Sequence, residues 1–310
     1  MSIINTVRAT VLSIANKNNF GYITPNDFNL YAKQAQLDIF EDYFYQYNSW
    51  IVKQNARVSG SGYADIVKGL VEVLDYFSLT KSLIISNGYD FTLPEDYYLI
   101  NKINYYPNLR SSGSVTGGTG KVLISTGSLF ITDGVKPTDL LSNITNSGEV
   151  LNVVAVTNET TLTLSGNINV GDVFKIVSNS GITEVERVSQ NKIFYLNSTP
   201  LTSPSTSFPA YVLEDSDITV YPIGQIASGT VFSQYIRYPK DPNWTYEDII
   251  LGGEPSFDQT SADYQDFELP ISDQTNLINK ILQYAGLSIR DKDVVAFGKM
   301  EEQEANQQEG

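Results

Sequence analysis

The stretch "DITVYPIGQIASGTVFSQYIRYPKDPNW", residues 217–244, decides how the chain is organised. Its apolar residues and its Gly-containing turn predict a hairpin of two strands, each closing on a Tyr-Pro pair. In the exit that follows, Pro239 and Pro242 fix the backbone and prevent further strand pairing. The amphipathic ring of Trp244 can anchor this stiff exit. The exit is either a local packing device or an arm that contacts a neighbouring subunit.

Further strands are predicted on both sides of this hairpin. Upstream, "NGYDFTLPEDYYLINKINYY" (87–106) has a turn signal followed by alternating apolar residues. The segments "GITEVERVSQNKIFYLN" (181–197) and "AYVLED" (210–215) read as strands separated by a Pro/Ser loop, which cannot lie inside a sheet. Downstream, residues 239–265 are acidic and irregular, so we expect them to form an exposed excursion over the surface.

Residues 121–178 form a separate block of short strands punctuated by Gly, Asn and Asp turns. Leu151, Val153 and Ala155 alternate with their neighbours, and Leu162 does so after the next turn. This pattern predicts a small half-buried barrel or sandwich. The preceding "SSGSVTGGTG" (111–120) is rich in Gly and Ser and is predicted to be a flexible joint.

The two ends of the chain are predicted to be helical. The apolar residues of the first helix have spacings that place them on one face: Ile4, Val7, Val11 and Ile14. After a break at residues 18–22, Thr24 as N-cap, Pro25 at the first position and Asp27 three residues after the cap start a long helix over 25–56. A third helix should carry Ile66, Leu70, Val73 and Phe77. The closing helix starts at Pro270 and Ser272, with Leu277, Ile281 and Ala285 on its apolar face.

The order of these elements predicts an α+β fold. We expect the N-terminal helices and the C-terminal helix to pack together beside a central antiparallel sheet, with the small barrel or sandwich inserted as a module. The predicted divisions are 1–110 for the N-terminal helices and the first core strand, 111–180 for the module, 181–269 for the central hairpins and acidic loop, and 270–310 for the last helix and a polar tail.

Composition narrows the range of functions. The chain has 35 acidic and 20 basic residues, a formal net charge of −15, so it is a poor candidate for gripping nucleic acid but is compatible with DNA sliding past. It contains no Cys and no His, which removes thiolate nucleophiles, zinc–thiolate sites and His-based catalysis. No apolar run has the roughly 20 residues that a membrane helix needs. We expect a non-enzymatic protein without cofactor, metal or membrane contact, made in the cytoplasm.

Two kinds of motif could still carry chemistry. The run "GSVTGGTG" has no Lys followed by Ser or Thr after its last Gly, so it is not a phosphate-binding P-loop. Asp263, Asp266 and Glu268 lie close together, and Asp215 and Asp217 flank a strand start. Paired carboxylates can hydrolyse glycosides or bind Ca²⁺, but a solvated acidic loop is the usual meaning of such a run.

Aromatic residues point to a subunit interface. The chain has 20 Tyr and 14 Phe, and several rings crowd the end of the long helix, which cannot bury all of them within one subunit. A sugar-binding platform uses such rings too, but we favour an interface. The predicted interface residues are Tyr43, Tyr45, Tyr47, Trp50, Tyr238, Trp244, Leu277 and Ile281.

The layout resembles the head-to-tail connector proteins, also called ring or adaptor proteins, of tailed bacteriophages, especially short-tailed podovirus-like and crAss-like phages. Three segments carry this resemblance: "ITPNDFNLYAKQAQLDIFEDYF" (23–44), the stretch from "AYVLEDSDITVYP" to "KDPNW" (210–244), and "FELPISDQTNLINKILQYAGLSIRD" (267–291). The module from "GSLFITDGVKPTDLL" to "VGDVFKIVS" is similar to small β modules of phage structural proteins.

The resemblance implies a structural virion protein located in the neck or tail. Its partners would be further copies of itself in a dodecameric ring, the portal protein, other neck or tail proteins, and genomic DNA that passes through the lumen during ejection without specific binding. Two other classes stay open: a receptor- or glycan-binding adhesion or baseplate module, and a glycosidase with paired carboxylates.

Overall fold

The computed structural model describes residues 2–15, 23–56, 71–247 and 255–289. The helices are α1 Ile3–Ala15, α2 Pro25–Ala56, α3 Gln190–Asn197 and α4 Gln274–Ile289. The strands are β1 Ser78–Asn87, β2 Asp90–Thr92, β3 Tyr97–Tyr105, β4 Leu109–Ser114, β5 Val122–Ile124, β6 Leu140–Asn143, β7 Glu149–Asn158, β8 Thr161–Leu164, β9 Val173–Val177, β10 Thr183–Glu184, β11 Glu186–Arg187, β12 Ala210–Glu214, β13 Asp217–Tyr221, β14 Val231–Arg237, β15 Tyr246–Glu247 and β16 Ser256–Phe257.

The chain divides into two units, which confirms the prediction of a mixed α+β fold. The helical unit consists of residues 1–76 and 239–310, and the β unit consists of residues 77–238. The module predicted at 111–180 lies inside the β unit, and the predicted division 270–310 lies inside the helical unit. The predicted divisions 1–110 and 181–269 each include residues of both units.

In the helical unit, α4 packs against both α1 and α2, as the sequence predicted. The apolar stripe of α1 is buried at Ile4, Val7 and Val11, because these residues share one helix face. Ile14 is 38% exposed, so the prediction was wrong for the last turn, where the end of the stripe is left uncovered. Further core side chains come from α2 and α4: Phe28, Ala32, Ala35, Ile39, Phe40, Leu277, Ile281, Leu282 and Ala285.

The predicted start of α2, with Thr24 as the N-cap residue, is confirmed by its hydrogen bonds. The Asp27 N–H donates to Thr24 Oγ1 at 3.2 Å, and the Thr24 hydroxyl donates to Asp27 Oδ2 at 2.6 Å, so cap and third residue satisfy each other. The predicted break at 18–22 and most of the predicted third helix lie outside the described residues. Residues 71–76 of that helix are helical, and Phe77 after them is fully buried.

The β unit holds one 14-stranded sheet, which branches at β1 because that strand pairs with β2, β7 and β14. Strands β11 and β12 are parallel, and the other pairs are antiparallel. The long strand β1 pairs with β14 through Ser78–Leu83 and with β2 beyond that point. A core of apolar side chains from β1, β2, β3, β13 and β14 lies on this part of the sheet, including Leu83, Phe91, Ile103, Ile218 and Val231.

The predicted hairpin of residues 217–237 is wrong, although both of its strands exist. β13 pairs with β12 and β2, whereas β14 pairs with β1 and β3. The β1–β2 pair therefore lies between them in the sheet. The hairpin is formed instead by β12 and β13, whose tight turn contains Asp215 in the left-handed region at φ 55°.

The strand predicted at residues 181–197 is also wrong in its second half, which forms the short helix α3. Ile193 and Leu196 are three residues apart and pack on Val188, Ala210 and Val212. A helix turn places residues at this spacing on one face, and four consecutive apolar residues, 193–196, carry no signal that separates helix from strand.

The small β module has a core of its own and an open ladder. Its strands run in the order β5-β8-β7-β6-β9-β4, and among the described residues no ladder joins β5 to β4, so the pairing does not close a barrel. One isolated bridge, Gly117–Ile124, approaches closure. The core side chains are Val115, Leu123, Phe130, Val135, Leu141, Leu151, Val153, Leu162, Leu164, Ile168, Phe174 and Ile176.

The predicted flexible joint at residues 111–120 is wrong, because these residues form β4 and a tight turn of the module. β4 pairs with β9, and Val115 after it is buried. Gly118 has φ 105°, and a Cβ there would lie 2.0 Å from the Val122 carbonyl oxygen. The glycine permits a close backbone approach, which composition alone does not distinguish from a linker.

The described part of the chain contains no helix that is both long enough and apolar enough to span a membrane.

Candidate functional site

The carboxylates of residues 263–268 serve the fold of the helical unit. The backbone N–H groups of Ile3 and Ile4 donate to the Asp266 carboxylate at 2.9 and 2.8 Å. A carboxylate at the N-terminus of a helix accepts hydrogen bonds from backbone N–H groups that have no partner within the helix, and its negative charge complements the helix dipole. Glu268 accepts a hydrogen bond from the Lys240 N–H at 2.8 Å. Both groups are therefore occupied as structural acceptors.

The other pair of acidic residues lies at the β12–β13 turn. Asp215 is the turn residue with positive φ, and Asp217 begins β13 opposite Thr92 of β2. Within the described ranges, no three His, Cys, Asp or Glu side chains come together in a way that could hold a metal ion.

Trp244 is enclosed by the helical unit, with only 2% of its surface exposed. Its indole N–H donates to Asn5 Oδ1 at 3.0 Å, and the Arg8 guanidinium lies 3.8 Å from the ring centroid. The rings of Tyr246 and Phe257 stack on it with centroids 5.7 and 5.8 Å away. The prediction of an exposed excursion is wrong for this part of residues 239–265, since two prolines and this ring are buried.

Three further predicted interface residues are also core residues of the helical unit. Tyr43 is 7% exposed and its hydroxyl donates to Asp273. Leu277 and Ile281 face the helical core from α4, with 1% and 0% exposed. Like Trp244, these side chains contact their own chain, which is a different role from the predicted one.

Tyr45 and Tyr238 are the predicted interface residues that the structure leaves accessible. Tyr45 on α2 is 75% exposed, and Tyr238 after β14 is 41% exposed with Tyr98 edge-on at 5.0 Å. Tyr47 and Trp50 lie in α2, and their side chains are outside the described part of the structure.

A more exposed set of apolar side chains was missed from the sequence. Among the described residues, the four large apolar side chains with the highest exposed fractions all lie between residues 194 and 208: Phe194 at 77%, Tyr195 at 77%, Leu201 at 96% and Phe208 at 81%. We call residues 187–208, which contain α3 and the loop after it, the apolar segment. The run "IFYL" at residues 193–196 could have indicated these exposed side chains. On an eight-residue helix, two of its four apolar residues must face away from the sheet.

The apolar segment also differs from the rest of the chain in charge. From Arg187 to Leu213 there is no Asp or Glu, although the whole chain carries a formal net charge of −15. Arg187 and Lys192 are exposed, and neither forms an ion pair within the described residues. The segment therefore presents apolar side chains and positive charge on an acidic protein.

A pocket of about 500 Å³ in the β unit lies between β1 and the loop of residues 92–96. Lys81 Nζ and Asp96 Oδ1 are 3.9 Å apart there, and the Tyr235 hydroxyl donates to the same carboxylate oxygen at 2.9 Å. Burial, followed by this hydrogen bond, raises the pKa of Tyr235 well above its ordinary value. Lys81, Asp96 and Tyr235 thus interact with one another, and we interpret these polar groups as a structural network of the sheet.

No family model matches the chain, and no curated protein matches it.

Proposed function

We propose that the chain is a structural protein of a tailed phage, which assembles into a dodecameric ring in the neck, connects the portal to the tail, and lets DNA pass. Single exposed apolar residues are ordinary on a soluble protein, but contiguous sets of them mark interaction surfaces. The observation that carries the proposal is the apolar segment, with Leu201 and Phe208 more than four-fifths exposed. A side chain of this kind gains most when a partner covers it.

The segments that resemble connector proteins support the same proposal. The opening helix and the closing helix pack on each other as α2 and α4, and Trp244 of the exit "KDPNW" bonds to Asn29 of α2 in the same unit. Two of the three segments that carry the resemblance, 23–44 and 267–291, thus lie in the helical unit, which would serve as a repeating block of the ring. In this proposal, the β module contacts other neck or tail proteins.

The net charge of −15 suits a protein that surrounds DNA without holding it. Affinity for nucleic acid comes largely from Lys and Arg contacts to phosphate, and like charges repel. In a ring of acidic subunits, the genome would pass with little adhesion.

An adhesion or baseplate module is the second candidate, and the exposed rings of Phe194 and Tyr195 favour it, because sugars stack on accessible aromatic rings. A glycan array distinguishes it from the connector. Reproducible binding that is lost in Tyr195→Ala but kept in Tyr45→Ala would support adhesion through the apolar segment.

The experiment that tests the connector is a cryo-EM reconstruction of the virion that carries the chain, with the neck treated as a symmetric assembly. A closed ring of this chain between portal and tail is the expected result. Density for the chain only in peripheral fibres, or a virion without it, would overturn the proposal.

A further inference from the structure

We infer that the apolar segment docks on the outer face of α2 in a second copy of this chain. The inference rests on the proposed function for the requirement that copies meet, and it names the two surfaces that do so. The outer face of α2 is defined by Leu30, Gln34, Glu41 and Tyr45.

The apolar segment exposes aromatic rings that a partner protein could bury. Ile193 and Leu196 turn one side of α3 onto the sheet, which leaves Phe194 and Tyr195 on the side facing water. Burying an aromatic side chain removes about 150–250 Å² from water. Phe194, Tyr195 and Phe208 together therefore supply roughly half of the approximately 800 Å² that each partner contributes to a stable interface.

Charge identifies a second copy as the partner. Two chains of net charge −15 repel each other, and contact costs least where one of them carries no carboxylate. The apolar segment is such a place, and its exposed cations, Arg187 and Lys192, are attracted to an acidic surface. Another copy of this chain is an acidic surface of that kind.

The outer face of α2 offers the matching surface. Leu30 is 66% exposed and Tyr45 is 75% exposed, and Glu41 lies between them on the same side of the helix. Glu41 is exposed and forms no ion pair within the described residues. Apolar side chains on this face can cover the rings of the apolar segment while Glu41 meets Lys192.

Such a contact joins two different surfaces, so it is heterologous. Repeated from copy to copy, a heterologous contact closes into a ring if the rotation allows, and otherwise gives an open filament. The inferred contact is therefore of the type that a ring needs, whereas a contact of the apolar segment with itself would stop at a dimer.

Cysteine cross-linking of the full-length chain tests the contact, because the natural sequence has no Cys. One copy carries Thr206→Cys in the apolar segment, and a second copy with a different tag carries Gln34→Cys on α2. The two are mixed under mild oxidation at high concentration. The matched control replaces the second copy with Thr157→Cys, an exposed threonine of the β module.

We expect the Thr206→Cys and Gln34→Cys pair to cross-link at least about tenfold faster than the control pair, as for a specific interface. Adding Lys192→Glu to the first copy should slow the reaction several-fold, and adding Glu41→Lys to the second copy should restore it. Equal rates with the control, no cross-link at all, or faster dimers of Thr206→Cys with itself would overturn the inference.

The two proposals fail in different ways. If the virion contains a ring of this chain but these cysteines do not cross-link, the connector stands and the contact is rejected. If they cross-link rapidly but the chain is absent from the neck, the contact stands and the connector is rejected.

Discussion

Trp244 shows how one side chain can organise the helical unit. Its ring is held by a hydrogen bond to Asn5, by the Arg8 guanidinium, and by stacked rings on the opposite strand pair β15–β16. The backbone N–H of Trp244 donates to Asn29 Oδ1 at 2.9 Å, which ties the exit after β14 to α2. A single residue thus links segments that are more than 200 positions apart in sequence.

The substitution Trp244→Ala should destabilise the helical unit by about 3–5 kcal/mol, the usual cost of removing a large buried ring. Urea unfolding followed by circular dichroism at the helix band measures it. Tyr45→Ala is the control, since that ring is 75% exposed and its loss should change the free energy of unfolding by less than about 0.5 kcal/mol. Equal costs for the two variants would contradict the buried position of Trp244.

Asp266 gives a second test at the same scale. Replacing it with Ala removes the acceptor of the Ile3 and Ile4 N–H groups, so α1 should lose about 1–2 kcal/mol, as for other capping residues. Asp263→Ala is the matched control, because Asp263 is exposed and Asn243 bonds its backbone oxygen, which the substitution keeps. Hydrogen exchange of the α1 amides reports the effect, and unchanged protection in Asp266→Ala would argue against a capping role.

At the scale of elements, the turn between β4 and β5 depends on one glycine. Gly118 has φ 105°, and a side chain there would collide with the Val122 carbonyl. Gly118→Ala should therefore cost more than about 2 kcal/mol, from strain and from the displaced strand. Gly127→Ala, where a Cβ meets nothing within 4 Å, should change stability by less than about 0.5 kcal/mol. Thermal unfolding of both variants gives the comparison, and a stable Gly118→Ala protein would mean that the turn is not fixed as described.

The elements differ in how well the sequence predicted them, and the reason is physical. Helices with a cap and a 3.6-residue stripe, such as α2 after Thr24 and Pro25, follow from local signals. Strand partners depend on contacts distant in sequence, so β13 and β14 were predicted correctly as strands but wrongly as a pair. A Gly-rich run such as residues 111–120 has the same composition in a tight turn and in a linker.

The candidate surface was predicted less well than the fold. Burial depends on the whole structure, so aromatic content did not separate Trp244, which is enclosed, from Tyr45, which is exposed. Phe194 and Tyr195 were missed because their segment was predicted to be a strand, and a strand would have turned alternate residues inward. Only the position of α3 on the sheet shows which side of it is open.

At the scale of the whole molecule, the β unit is a continuous insertion into a discontinuous helical unit. Its first and last strands, β1 and β14, are neighbours, with Ser78 opposite Ile236. The Arg237 N–H donates to the Phe77 carbonyl at 3.0 Å, so the chain enters and leaves the β unit at one place. A domain whose ends lie together in this way can be inserted into another, or removed from it, with little effect on either core.

Residues 77–238 expressed alone should therefore fold into the same sheet. The unit has apolar cores of its own, on the β1–β14 strands and within the small module, and its ladders involve only its own strands. Cooperative urea unfolding, together with protected amides in β1, β3 and β14, is the expected result for the fragment. A fragment of residues 90–238, which lacks β1, is the control, because β1 joins β2, β7 and β14, and it should fail to fold cooperatively. If residues 77–238 also lacked protected amides, the β unit would depend on the helical unit for its fold, and the division of the chain into two independent bodies would be rejected.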